Sequence, residues 1–338
     1  MTESAEAPLW EELSELGEYE TLCRVRVEHR VEVDQPLVLI SQIQRSGGTL
    51  LLQLLDGHPE CHVDPYELKL GHPKKEHWPP IDLAQPETWF ETLYFRGTAE
   101  RLRRTERTKK PDSGRSVFPF VLLPRLQHAI FEACVAARPP ARERDVFDAY
   151  FTSYFNAWVD NENLYAEPKR RVVGFTPRMA MDPANLERFF EVYPDGRLLT
   201  IVRDPHAWWA SAAKHMPEHY GDVDEALALW NRSADASFDA LRRYGQERVV
   251  LLTYEELVLE TAATMRTVAE RIGIVPSVTL STPTFNGRPV RANSSDPVDR
   301  EGILPERATA GRESLDPAVV ARIDGLAGDR YTRAISAR

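Results

Sequence analysis

The sequence predicts an α/β protein: a central parallel β-sheet flanked by helices, in one domain that carries a helical and irregular insertion. Three observations lead there. Short β-rich runs (PLVLISQIQ, RRVVGFTP, RLLTIVRDP, RVVLLTYEELV) alternate with amphipathic stretches of helix length. The first run opens on an unbroken apolar stretch, PLVLI, as a strand buried on both faces does, with turn chemistry straight after it. That run passes through small residues and an arginine straight into a leucine-rich helix, the strand–loop–helix unit of a βαβ fold.

Residues 1–20 read as a polar arm, with room for a short helix. In 21–34, TLCRVRVEHRVEVD alternates apolar and polar residues, the pattern of a half-buried strand. Residues 1–35 are therefore expected to be an arm plus a first strand, ahead of a main domain over 36–335. From Thr49, TLLLQLLDGHP predicts a helix with leucines on its inner face, stopped by Gly57 and Pro59. Residues 71–165 break the rhythm and form the divergent insertion: irregular and charged to about 120, then helical. Within DVFDAYFTSYFNAWVDN, Tyr150, Phe151, Tyr154 and Trp158 recur at helical spacing and read as core. After the strand RRVVGFTP come a helix in MDPANLERFFEVYP and the strand RLLTIVRDP, ending in a charged turn. WWASAAKH continues as helix, and DVDEALALWNRSADASFDALRRYG is strongly amphipathic. RVVLLTYEELV and TAATMRTVAERIG supply a further strand and helix. A Pro-, Gly-, Ser- and Asn-rich loop covers 281–313, and a terminal helix begins at Asp316.

Composition bounds the function. With 42% hydrophobic and 28% charged residues over 338 positions, the chain can bury a full core. A net charge of −10 argues against a general nucleic-acid binder but allows a local basic pocket. Cys23, Cys61 and Cys134 are odd in number and far apart, which fits a reducing compartment. The acidic, mixed N-terminus lacks the basic start and apolar stretch of a signal peptide. No apolar run approaches the roughly 20 residues of a spanning helix. The expectation is a cytoplasmic protein with no membrane or nucleic-acid partner; a homodimer stays open. No metal is expected, because no His, Cys and carboxylate cluster has ligand spacing.

Two stretches carry anion chemistry. Arg45-Ser46-Gly47-Gly48-Thr49-Leu50 joins a buried strand to a helix. Small residues there let backbone wrap an anion, the helix start offers unpaired N–H groups, and Arg45 adds a permanent forked cation. An ordinary glycine turn fits the Gly-Gly pair as well. The GK[ST] ending of a Walker loop is missing, which disfavours a P-loop kinase or NTPase. The second stretch, Leu198 to Pro205, puts Arg203 at the carboxyl end of a strand, where ligands of open α/β sheets bind. Ser211 lies two turns into the next helix. Taken alone, Arg-Asp-Pro is also a plausible charged helix start.

Together these stretches resemble the PAPS-dependent sulfotransferase superfamily, whose fold is of the P-loop nucleotide-binding type. Arg-Ser-Gly-Gly-Thr-Leu followed by Leu55-Asp56-Gly57-His58-Pro59 resembles the family's 5′-phosphosulfate loop, and Arg203 with Ser211 its 3′-phosphate motif. Tyr254-Glu255-Glu256-Leu257 resembles a family segment read here as structural, capping a helix and packing the sheet. The stretch 286–295 resembles the late loop that closes over the nucleotide, with Arg288, Arg291, Asn293 and Ser294 as candidates; a solvated loop fits it too. The resemblance implies PAPS as donor, PAP as product, and a small-molecule, lipid or saccharide acceptor, with a peptide tyrosine also open.

Sulfuryl transfer resembles phosphoryl transfer: in-line, with a loose transition state that needs positioned cations and a base for the acceptor proton. Arg45 is the candidate stabiliser. Glu67, where the family often places a Glu after the next strand, is the candidate base, with His62, Asp64 and His72 as local rivals. Two departures weigh against turnover. Gly48 replaces a hydroxyl residue, and Phe175 stands where many relatives carry Lys; Arg178 can supply the missing charge or lie on the surface. They motivate an alternative, a non-catalytic nucleotide-binding protein of the same fold, and a small-molecule kinase ranks third. Trp78, Trp89, Phe90, Tyr94 and Phe95 can line an acceptor pocket or form core. The basic run 101–110 suits a solvated face or an anion-attracting surface.

Overall fold

A computed structural model of the chain describes residues 15–68, 77–94, 120–290, 302–308 and 312–337. Five parallel strands form its sheet: β1 (Leu37–Ile40), β2 (Cys61–Glu67), β3 (Arg171–Phe175), β4 (Arg197–Val202) and β5 (Val249–Thr253), in the order β2-β3-β1-β4-β5. The connection after β1 runs toward β2, whereas that after β4 runs toward β5. The order therefore reverses between β1 and β4, and the crevice beyond their carboxyl ends is where such sheets hold ligands.

Alternation along β1 divides the core. Leu37 and Leu39 face one hydrophobic layer, Val38 and Ile40 the other, and all four are fully buried. The first layer includes α3 (Pro124–Ala137), α4 (Glu143–Ala157) and α5 (Pro183–Val192). Tyr150, Phe151, Tyr154 and Trp158 are core there. The helical part of the divergent segment thus covers the sheet itself. The opposite layer holds α2 (Gly48–Leu55), α8 (Tyr254–Leu259) and α9 (Thr261–Ile272). A third cluster, around Trp208 and Trp230, joins α6 (Pro205–His215) and α7 (Val223–Tyr244) to the C-terminal α10 (Pro317–Ala327) and α11 (Arg330–Ser336).

Two expectations change. The alternating segment 21–34 is no strand: Glu15–Glu28 is a helix, α1. Its half-buried pairs Leu22-Cys23 and Arg26-Val27 stand four residues apart, while Val25 is 44% exposed. Two valines two apart thus face different environments, and the helical period wins. The loop 281–313 contains a short antiparallel hairpin, Thr284–Phe285 with Arg288–Pro289. The basic run 101–110 and His72 lie outside the described residues.

Candidate active site

The loop from β1 to α2 lies in the β1/β4 crevice. Gly47, the N-cap of α2, has φ 102°, and Arg45 has φ 69°. Only glycine takes such angles freely; a side chain there costs about 1–2 kcal/mol. Space is short as well, since a Cβ on Gly47 would stand 2.6 Å from Tyr254 Cδ2. Gly48 is held by contact instead: a Cβ there would stand 2.2 Å from Gln42 Nε2 and 2.6 Å from Phe175 Cε2. The two departures from the family pattern thus belong to one packing arrangement, in which the Phe175 ring and the Gln42 amide fill the space that a side chain at 48 would need.

Around this loop the chain gathers cations. Arg203, 6% exposed, donates through Nη1 to the Arg45 carbonyl at 3.0 Å, and its guanidinium lies 4.2 Å from the centre of the Tyr254 ring. Arg45 Nη2 donates to Ser211 Oγ at 3.4 Å. Arg45 thereby joins one group with Arg203 and Ser211, which lie some 160 residues later in the sequence. Trp208 Nε1 donates to the Gln44 carbonyl at 2.8 Å, fixing the preceding residue. Arg178 donates through Nε to Gln44 Oε1 at 2.6 Å and through Nη2 to Tyr220 Oη at 2.7 Å. It braces the loop through Gln44, whose amide no motif had singled out.

The loop also keeps buried polar atoms without hydrogen-bond partners among the described residues, Ser46 Oγ and both amide atoms of Gln42, and Thr176 Oγ1 just after β3 is another. These side chains are at most 1% exposed. Buried polar groups are normally satisfied, and an orphan costs about 1–3 kcal/mol. A cluster of them beside two arginines and a helix start suits a polyanionic ligand.

Glu67 ends β2, pairs in register with Phe175 on β3, and is half-buried. Phe175 in turn pairs with Ile40, the residue before the loop begins. A register irregularity between Val63 and Glu67, where Pro65 sits on this edge strand, sets its approach. Asp64 Oδ1 accepts from the Tyr66 amide at 2.9 Å. His62 is buried 4.9 Å from the Phe155 ring, and burial pushes its imidazole down to about 3, so it stays neutral.

Other candidates fall elsewhere. Arg288 is exposed and pairs with Glu162. Its hairpin meets the far end of α2, where Gly287 N and Thr284 Oγ1 donate to Asp56 Oδ2 at 2.9 and 2.7 Å. The structure does not bring Arg288 to the loop, because Asp56 anchors the hairpin one helix length away. Arg291, Asn293, Ser294 and Phe95 lie outside the described residues. Trp78, Trp89 and Phe90 are packed into the core, with Tyr94 half-buried against it. Among the described residues no group of three or more His, Cys, Asp or Glu is arranged to hold a metal, and no helix is long and apolar enough to cross a membrane.

Comparison with known proteins agrees with this geometry. The chicken (Gallus gallus) protein-tyrosine sulfotransferase 2 is 24% identical over 252 residues, covering 73% of this chain. The chain spans about half, 54%, of that relative's length. Two solved structures share the fold: the sulfotransferase domain of the Synechococcus PCC 7002 olefin synthase and that of the curacin biosynthetic pathway. The first has a TM-score of 0.55 at 20% identity, covering 88% of this chain and 94% of its own. For the second the values are 0.53, 20%, 86% and 96%. The profile of the sulfotransferase family matches residues 36–276. With that match spanning the sheet, the loop and the Arg203 turn, the chain belongs to the sulfotransferase family.

Proposed function

We propose that the protein transfers the sulfuryl group of PAPS to a hydroxyl or amine of a small-molecule, lipid or saccharide acceptor. One observation carries the reading: Arg203 and Ser211 meet Arg45 on a loop where Ser46 Oγ and both Gln42 amide atoms lack hydrogen-bond partners among the described residues. In it, the loop amides, Ser46 and Thr49 bind the 5′-phosphosulfate, and Arg203 with Ser211 binds the 3′-phosphate. When bound, PAPS supplies a sulfur whose bond to the phosphate oxygen breaks as the acceptor oxygen or nitrogen bonds to it. Glu67 accepts the acceptor proton, and Arg45 stabilises charge on the peripheral oxygens. Arg178 acts through Gln44, keeping the loop in place.

The test is direct. The full chain is expected to gain thermal stability with PAP and to form a PAPS-dependent sulfated product from a metabolite extract or an acceptor panel. That panel includes a tyrosine peptide, the acceptor class named by the curated relative. Absence of both stabilisation and product would sink the reading. A second reading, a PAP-binding protein without turnover, draws on Phe175 packed over Gly48, an apolar ring where many relatives carry Lys. Stabilisation by PAP with no product from any acceptor would favour it.

A further inference from the structure

The family match ends at residue 276, yet α10 and α11 beyond it reach the turn that carries Arg203. Several contacts latch this pair to α7. Arg330 forks onto Asp235 at 2.9 and 3.0 Å, Arg322 pairs with Asp224, and Asn231 Nδ2 donates to the Leu326 carbonyl at 3.0 Å. Ile323, Ala327 and Ala334 are buried in the cluster of Trp208 and Trp230. From this base two side chains extend toward the turn. Asp324 Oδ1 stands 3.0 Å from Nε2 of the buried His206. Tyr331 donates its hydroxyl proton to Glu255 Oε2 at 2.7 Å. The other oxygen, Oε1, accepts from the backbone amide of Asp204 at 3.2 Å.

Glu255 therefore bridges the C-terminal helices and the peptide directly after Arg203. Burial pushes its carboxyl up, while the Tyr331 hydroxyl, the Asp204 amide and the nearby Arg203 charge oppose that shift. A buried carboxylate stripped of one donor leans harder on a cation whose charge already acts on it. Here Arg203 is such a cation.

We propose that Tyr331 is a positioning residue for the donor site: its hydroxyl holds the Glu255 carboxylate on the Asp204 amide, so that Glu255 does not compete with an anionic ligand for Arg203. This rests on the donor reading above, in which Arg203 meets the 3′-phosphate. The C-terminal helices then tune discrimination for a 3′-phosphorylated nucleotide without touching it.

Calorimetric titration of the full chain with adenosine 3′,5′-bisphosphate and with adenosine 5′-monophosphate tests it. Wild type is expected to prefer the bisphosphate. Tyr331→Phe is expected to lower that preference roughly 5- to 10-fold with monophosphate affinity unchanged. The double variant Tyr331→Phe/Glu255→Gln is expected to regain the preference, because the amide carries no competing charge. An unchanged preference in Tyr331→Phe, equal weakening of both nucleotides, or no rescue in the double variant overturns the inference while the donor reading stands. No preference in wild type overturns both.

Discussion

Arg203 is 6% exposed, with one amino group on the Arg45 carbonyl and its face on Tyr254, whereas Glu67 is half-buried at the end of the edge strand beyond β3. Residues so placed should separate binding from chemistry. Arg203→Ala removes a charged partner and is expected to weaken PAP binding by ~1.5–3 kcal/mol. Glu67→Gln keeps shape and removes only the basic oxygen. Its PAP affinity should match wild type while turnover falls by about 100-fold or more. Titration calorimetry and PAPS turnover read the two effects apart. If both variants lose only stability, neither residue has the role given to it. The rivals of Glu67 differ from it in environment: His62 is held neutral by burial, and Asp64, 3% exposed, turns one oxygen to its own chain at Tyr66.

At the scale of elements, the β1–α2 loop and the end of β3 form one packed unit. A Cβ on Gly48 would stand 2.6 and 2.7 Å from Phe175 Cε2 and Cζ, and 2.2 Å from Nε2 of the Gln42 side chain. Gly48→Ser, which restores the hydroxyl common among relatives, is therefore expected to destabilise the protein by ~1–3 kcal/mol. In a Phe175→Leu background the same change should do less harm, with a coupling of about 0.5 kcal/mol or more in a urea-melt cycle. Strict additivity would mean that the ring does not exclude the side chain. The same unit shows what the sequence makes legible. Strand, glycine turn, helix and the two arginines are local patterns, so β1, α2, β4, Arg45 and Arg203 could be read directly. The Gly48–Phe175 contact joins residues 127 apart and leaves no local trace. Gln44 was invisible for a similar reason, since its partner Arg178 sits after another strand. The segment 21–34 misled because its valines alternate, although what decides its form is packing against α3 and the first core layer. Arg288 carried a plausible motif, but a carboxylate at the other end of α2 governs where its hairpin lies.

For the whole molecule, two buried groups outside the loop and its arginines set opposing pH responses. Burial pushes the Asp148 carboxyl up to about 7 despite the Arg144 guanidinium 3.4 Å away, and pushes the His62 imidazole down to about 3. Asp148 is protonated in the native state while its unfolded counterpart ionises near 3.8, so stability falls as pH rises from about 4 to 7. His62 does the reverse. Its unfolded form takes a proton below 6.5 that the native form refuses, so stability is lost as pH drops below that value. Between about pH 4.5 and 6 each effect approaches one proton, ~1.4 kcal/mol per pH unit, and the two cancel. Relative to wild type, Asp148→Asn should therefore tilt the stability profile upward with pH by about that slope, and His62→Gln should tilt it downward. Urea melts at closely spaced pH values measure both tilts. The slope is the quantity to compare, because each substitution also shifts absolute stability through lost contacts. Parallel profiles for all three proteins would show that neither group changes its protonation on folding.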